Sequence, residues 1–146
     1  MLDVKLILKA INEKIISIFN ERVYGNDTTE GYTLPCFHTE LIINSSERVN
    51  KHIYKTDVTI NIAYLMETVD EIKQYEVIKK IRDNFSTYLQ VGDRVLHIEK
   101  IDTGYSGEHK ETLDFSIDII FYENTYVKSM DDPIEDVYFR IKKKED

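Results

Sequence analysis

A chain of 146 residues, 42% hydrophobic and 32% charged, is of single-domain size and fits neither the disordered nor the membrane class of composition. Its formal net charge of -8 argues against a protein built mainly to grip nucleic-acid phosphates, because that affinity comes from Lys and Arg displacing counterions. The single cysteine, Cys36, excludes an internal disulfide and a thiolate metal cluster within one chain.

The opening residues run directly into an amphipathic pattern, and no apolar run of about 18 residues follows. Synthesis and retention in the cytosol are expected. Over residues 3–19, Val4, Ile7, Leu8, Ile11, Ile15, Ile18 and Phe19 recur at three- and four-residue spacing, which predicts a helix. Residues 25–31 are polar and rich in turn formers, so a surface loop is expected there. Residues 35–43 read as a first strand, residues 44–51 as a hairpin connection and residues 52–65 as a second strand. In that second strand Tyr54, Thr56, Val58, Ile60, Ile62 and Tyr64 share a face opposite Lys55, Asp57, Thr59 and Asn61. This period of two marks a strand with one wet face.

A second helix is predicted over residues 70–89, with Asp70 as N-cap and a stripe of Ile72, Tyr75, Ile78, Ile81, Phe85 and Leu89. Gly92 and Asp93 end it. Residues 94–102 predict a third strand, residues 104–110 a turn, and residues 111–126 a fourth strand in which Leu113, Phe115, Ile117, Ile119 and Phe121 alternate with Asp114, Ser116 and Asp118. The expected fold class is α+β: a mainly antiparallel four-stranded sheet with two helices on one face, plus a short C-terminal strand or arm. Residues 1–127 would form the domain and residues 128–146 an extension. There Val137, Phe139 and Ile141 alternate with Tyr138, Arg140 and Lys142, the pattern of an edge strand of the same chain or of a strand added to a neighbour.

The chemistry-bearing residues are sparse. None of His38, His52, His97 and His109 has metal-ligand or nucleophile-base spacing. His97 and Glu99 share a strand face, where solvation alone explains polar residues. Cys36 beside Phe37 reads as a small core residue. Gly104-Tyr105-Ser106-Gly107 lacks the lysine of a phosphate loop and reads as a hairpin turn. No cofactor, metal or catalytic residue is expected. The candidate interface residues are Glu108, His109 and Lys110 in the turn, with Val137, Tyr138, Phe139, Arg140, Ile141 and Lys142 in the tail. The acidic stretch from Asp131 to Asp136 offers a complement to the basic cluster from Arg140 to Lys144.

The sequence resembles the tail terminator proteins of long-tailed phages and of phage-tail-like (R-type) bacteriocins. The likeness lies in Ile11 through Phe19 followed by Val23-Tyr24, in Gly31-Tyr32-Thr33-Leu34-Pro35-Cys36-Phe37, in Ile60-Asn61-Ile62-Ala63-Tyr64 and in Leu113-Asp114-Phe115-Ser116-Ile117. It covers most of residues 4–127. Relatives tend to have Gln where Glu30 stands and an apolar or aromatic residue where His38 stands, and nothing in them corresponds to the tail from Ser129. The resemblance implies a structural, non-enzymatic protein: a ring of six copies on the head-proximal end of a tail tube, ending its growth. Implied partners are further copies of the chain, the tail tube protein, and the sheath protein and head connector. Neither membrane nor specific nucleic acid is implied; in a DNA-containing particle the DNA would pass through such a ring, and in a headless one the ring simply closes the tail. Competing readings are a head-completion connector, a small-ligand binding module between sheet and helices, and a small enzyme using His97 and Glu99 or the His109 turn.

Overall fold

The first helix, α1 (Val4–Phe19), begins where the Asp3 side chain accepts the backbone N–H of Lys5 and ends where Asn20 turns left-handed, φ 54°. Ile7, Ile11 and Ile15 lie one turn apart on its buried face, as the spacing predicts. The computed structural model describes residues 2–26 and 31–124, so the extension and its proposed arm lie outside the described residues. After α1 come β1 (Val23–Tyr24), β2 (Cys36–Asn50), β3 (Ile53–Leu65), α2 (Glu71–Phe85), β4 (Tyr88–Val91), β5 (Arg94–Ser106) and β6 (Thr112–Asn124).

The strands form one sheet in the order β1-β2-β3-β6-β5-β4. β1 runs parallel to β2 and every other neighbouring pair is antiparallel. The expected four-stranded antiparallel sheet is therefore wrong: this is a mixed, six-stranded sheet curled into a half-barrel. Three local reasons account for the difference. Val23–Tyr24 is too short to show alternation and becomes a strand only by pairing with Phe37 and His38. The expected helix end, residues 86–89, fails because Phe85 and Leu89 are also spaced for burial on either side of a break. The helix stops at Phe85, and Leu89 and Val91 are buried at a period of two in β4, which folds against β5 around Gly92 at φ 61°. Finally, residues 44–50, expected as a connection, continue β2 as far as Asn50.

β3 and β6 are the middle of the sheet. Val58, Ile60, Ile62 and Tyr64 from β3 and Leu113, Phe115, Ile117, Ile119 and Phe121 from β6 are buried in one cluster with Ile7, Ile11 and Ile15 of α1 and Val77, Ile81 and Phe85 of α2. Each fully buried side chain of this size contributes about 1.5–3 kcal/mol. Asp70 caps α2 through the Lys73 N–H, but the buried stripe is Gln74, Val77, Ile81 and Phe85. Ile72 and Tyr75, expected inside, are 71% and 58% exposed. The register slips between Ile43 and Ser45, between Arg48 and Asn50, and between Ile98 and Lys100. Such bulges sharpen the local twist and help the sheet to curl. Glu123 fastens one end of this curl, accepting from the Leu2 N–H and from Arg94.

Candidate functional site

Because both helices bury their apolar stripes in the one core, the opposite face of β2, β3, β6 and β5 is uncovered among the described residues. Cross-strand register builds three rows on it: His38-Ala63-Asp114-Gly104, Glu40-Asn61-Ser116-Asp102 and Ile42-Thr59-Asp118-Lys100. Ala63, Ser116 and Gly104 keep the middle low, so the first two rows line an open depression. Glu40, Asp102, Asp114 and Asp118 make it acidic, and Lys100 is spent on Asp102 at 3.3 Å. Asn44 donates to Asp57 Oδ1 and Thr59 Oγ1, and Thr59 donates to Asp118 Oδ1 at 2.8 Å, which fixes the carboxylate on the sheet. A face of this charge disfavours phosphate.

The turn between β5 and β6 holds the predicted residues Glu108, His109 and Lys110. It begins later than expected: Gly104, Tyr105 and Ser106 are still in β5, and the reversal occurs between Gly107 (φ 93°) and Lys110 (φ 59°). The Lys110 N–H donates to Gly107 O at 3.2 Å. The Glu111 carboxylate accepts the His109 N–H at 2.9 Å, and backbone hydrogen bonds from Glu111 itself and from His109 hold its carboxyl below the usual carboxylate range. The side chains of Glu108 and His109 project into solvent, 3.8 Å apart. This is a rigid turn with two exposed polar tips, suited to contact with another protein.

His97 Nε2 and Glu99 Oε2 lie 3.9 Å apart on an exposed strand surface. Cys36 is fully buried and its thiol is pushed up by burial, with Glu21 adding to the effect, the opposite of an activated nucleophile. Burial, with Glu21 beside it, also raises the Tyr64 hydroxyl above the phenol range. Among the described residues no group of three or more His, Cys, Asp or Glu side chains is arranged to hold a metal ion, and no helix is long and apolar enough to cross a membrane. Val137, Tyr138, Phe139, Arg140, Ile141 and Lys142 lie outside the described residues.

Sequence reasoning missed two surfaces that topology creates. β1 pairs with β2 only through Phe37 and His38, so among the described residues the rest of β2, residues 39–50, has no neighbour on that side. β4 pairs with β5 only from Arg94 to His97, which leaves the far part of β5 similarly open. Ile42, Ile43 and Val49 are exposed along the first of these edges. The only sequence signal was the run Leu41-Ile42-Ile43, whose two-sided apolar character does not fit a strand buried on one face alone.

Open strand edges, an acidic sheet face and a clamped polar turn define a class of protein whose accessible features are surfaces for other macromolecules. Residues 6–132 match the family model described as "Phage tail terminator protein". The chain belongs to the phage tail terminator family, a structural family whose members interact with other tail proteins and form part of the virion. No curated protein matches the chain. A solved structure covering 88% of this chain and 100% of its own length superposes with a TM-score of 0.52 at 11% sequence identity, a likeness of fold.

Proposed function

We propose that this protein closes the head-proximal end of a phage or phage-tail-like tube as a ring, six copies in its closed form, and so ends tube growth. The observation that carries this reading is the family match over residues 6–132. The two edges without a neighbour among the described residues, on β2 and on β5, lie on opposite flanks of the sheet. They are unlike surfaces, which is what a heterologous contact that closes on itself requires. The acidic sheet face suits a passage through which DNA moves without adhering. The tube protein is the primary partner, with sheath protein and head connector on the remaining faces, and assembly takes place in the cytoplasm.

Size-exclusion chromatography with light scattering, with and without purified tube, tests the reading. A closed oligomer bound to tube ends is expected. A strict monomer that ignores the tube overturns it. In particles lacking the protein, negative-stain images should show overlong or ragged tails, and tails of normal length count equally against the proposal.

A further inference from the structure

The short strands at the two flanks of the sheet sit at opposite ends. On the β2 flank, β1 lies beside Phe37 and His38, level with Leu113 and Asp114 of β6. From Thr39, level with Phe115, to Asn50, level with Asn124, β2 has no neighbour on that side among the described residues. On the β5 flank the arrangement is reversed. β4 fills the other end, beside residues 94–97, and the Thr87 carbonyl accepts the Ile98 N–H. From Glu99 to Ser106, level with residues 112–119 of β6, β5 has no neighbour on that side among the described residues. Each flank is a notch with one end filled.

Two copies in the same orientation bring β2 and β5 together as antiparallel edges, because three antiparallel steps separate these strands in the sheet. Without a shift, β4 of one copy collides with the far end of β2 of the other, and β1 collides with the Ser106 end of β5. Asn50 clears β4 only when the neighbour slides toward the Asn50 end by at least about five residues, roughly 16 Å at 3.3 Å per residue. The same slide frees β1. At a shift of about eight residues, roughly 26 Å, Asn50 stands beside Asp102. Across six strands, about 29 Å wide at 4.8 Å per strand, that shift inclines the strands by roughly 40° to a ring axis, inside the range of strands in closed sheets.

Charge agrees with this placement. In a chain of net charge -8, the β2–β3 tip carries Arg48, Lys51 and Lys55 against Glu47 alone. Asn50 Oδ1 accepts the His52 N–H at 2.7 Å, and Arg48 Nη1 donates to the Lys51 carbonyl at 3.3 Å, so the tip is shaped before it meets a partner. It arrives at the Asp102 and Asp114 side of the acidic depression, where Gly104 and Ser116 keep the floor low. Asp114 has no ion-pair partner among the described residues. Glu40 and Asp118 stay on the open face. We infer that the β2–β3 hairpin tip of each copy lies beside Asp102 and Asp114 of the next copy, in a stagger that the short strands β1 and β4 enforce. This rests on the ring reading above and gives that ring a contact and a direction.

Charge reversal in the full chain tests the contact. Lys51→Glu with Lys55→Glu on the tip, or Asp102→Lys with Asp114→Lys on the face, should each weaken ring formation by about tenfold or more. An equal mixture of the two variants, and a chain carrying all four substitutions, should close again, because each restores opposite charges where copies meet. Rings that form equally well in every variant, or that return in neither rescue, overturn the contact while the ring of the parent stands. A parent that stays monomeric with tube present overturns the ring reading and the contact with it. Hydrogen exchange reads the stagger. On association the amides of residues 45–50 and 102–106 should slow together, and slowing confined to residues 39–43 overturns the shift.

Discussion

The side-chain amide of Gln74 donates to the backbone carbonyl of Lys110 at 2.9 Å. Gln74 is 2% exposed, so a polar side chain on the buried stripe of α2 is spent on holding the β5–β6 turn. Nearby, the Met66 N–H donates to the Glu111 carbonyl at 3.2 Å. The turn that offers Glu108 and His109 to solvent is thereby clamped to the helix layer. Replacing Gln74 by Ala removes this tie, and we expect a loss of about 1–2 kcal/mol, measured as a lower urea midpoint with an unchanged denaturant slope.

Gly107 carries the reversal. Its φ is 93°, and a Cβ there would stand 2.6 Å from the Glu111 carboxyl. Gly107→Ala should destabilise the protein by at least about 1 kcal/mol. Adding Glu111→Ala should recover the steric part but not the backbone part. A double-mutant cycle measures the split, and strict additivity would contradict the contact.

Glu111 also sets a pH dependence. Backbone donors lower its folded pKa below the ordinary value of 4.5, so its contribution is fully present above that value and is lost as pH falls through the lower, folded one. Unfolding midpoints measured from pH 7 down to pH 3 should show Glu111→Gln losing less stability on acidification than the parent. Parallel curves would exclude the effect.

The exposed tips of the turn should matter for partners and little for folding. Glu108→Lys with His109→Ala is expected to leave unfolding within about 0.5 kcal/mol of the parent. Affinity for tube should fall by about tenfold, equivalent to 1.4 kcal/mol. Sedimentation with purified tube reads the result directly, and unchanged binding would remove the turn from the interface.

At the sheet centre Ile60 is fully buried between helices and sheet. Ile60→Ala should cost about 2–5 kcal/mol through lost burial and the cavity left behind. Thermal unfolding of the two proteins provides the comparison.

Much of the fold and part of the candidate site could be read in the sequence. The alternation in residues 54–64 and 113–121 located the two central strands, because a strand between a helix layer and solvent must change character at every residue. Asp70 marked the start of the second helix through the short side chain that N-caps use. The turn that carries Glu108, His109 and Lys110 was located because glycine and polar residues interrupt an apolar alternation there. The helix face of α2 was misread, since Gln74 is buried by a hydrogen-bond partner 36 positions away and Ile72 is left outside.

Local pattern, charge and resemblance thus determined the class of protein, its two helices, its central strands and its family. Tertiary structure alone decided that Val23–Tyr24 and Tyr88–Val91 are strands, that β2 runs on to Asn50, and that parts of β2 and β5 have no neighbour on one side among the described residues. The physical reason is the range of the interaction. A helix bonds to itself within four residues and shows its period locally, whereas a short strand exists only through a partner that may be far along the chain.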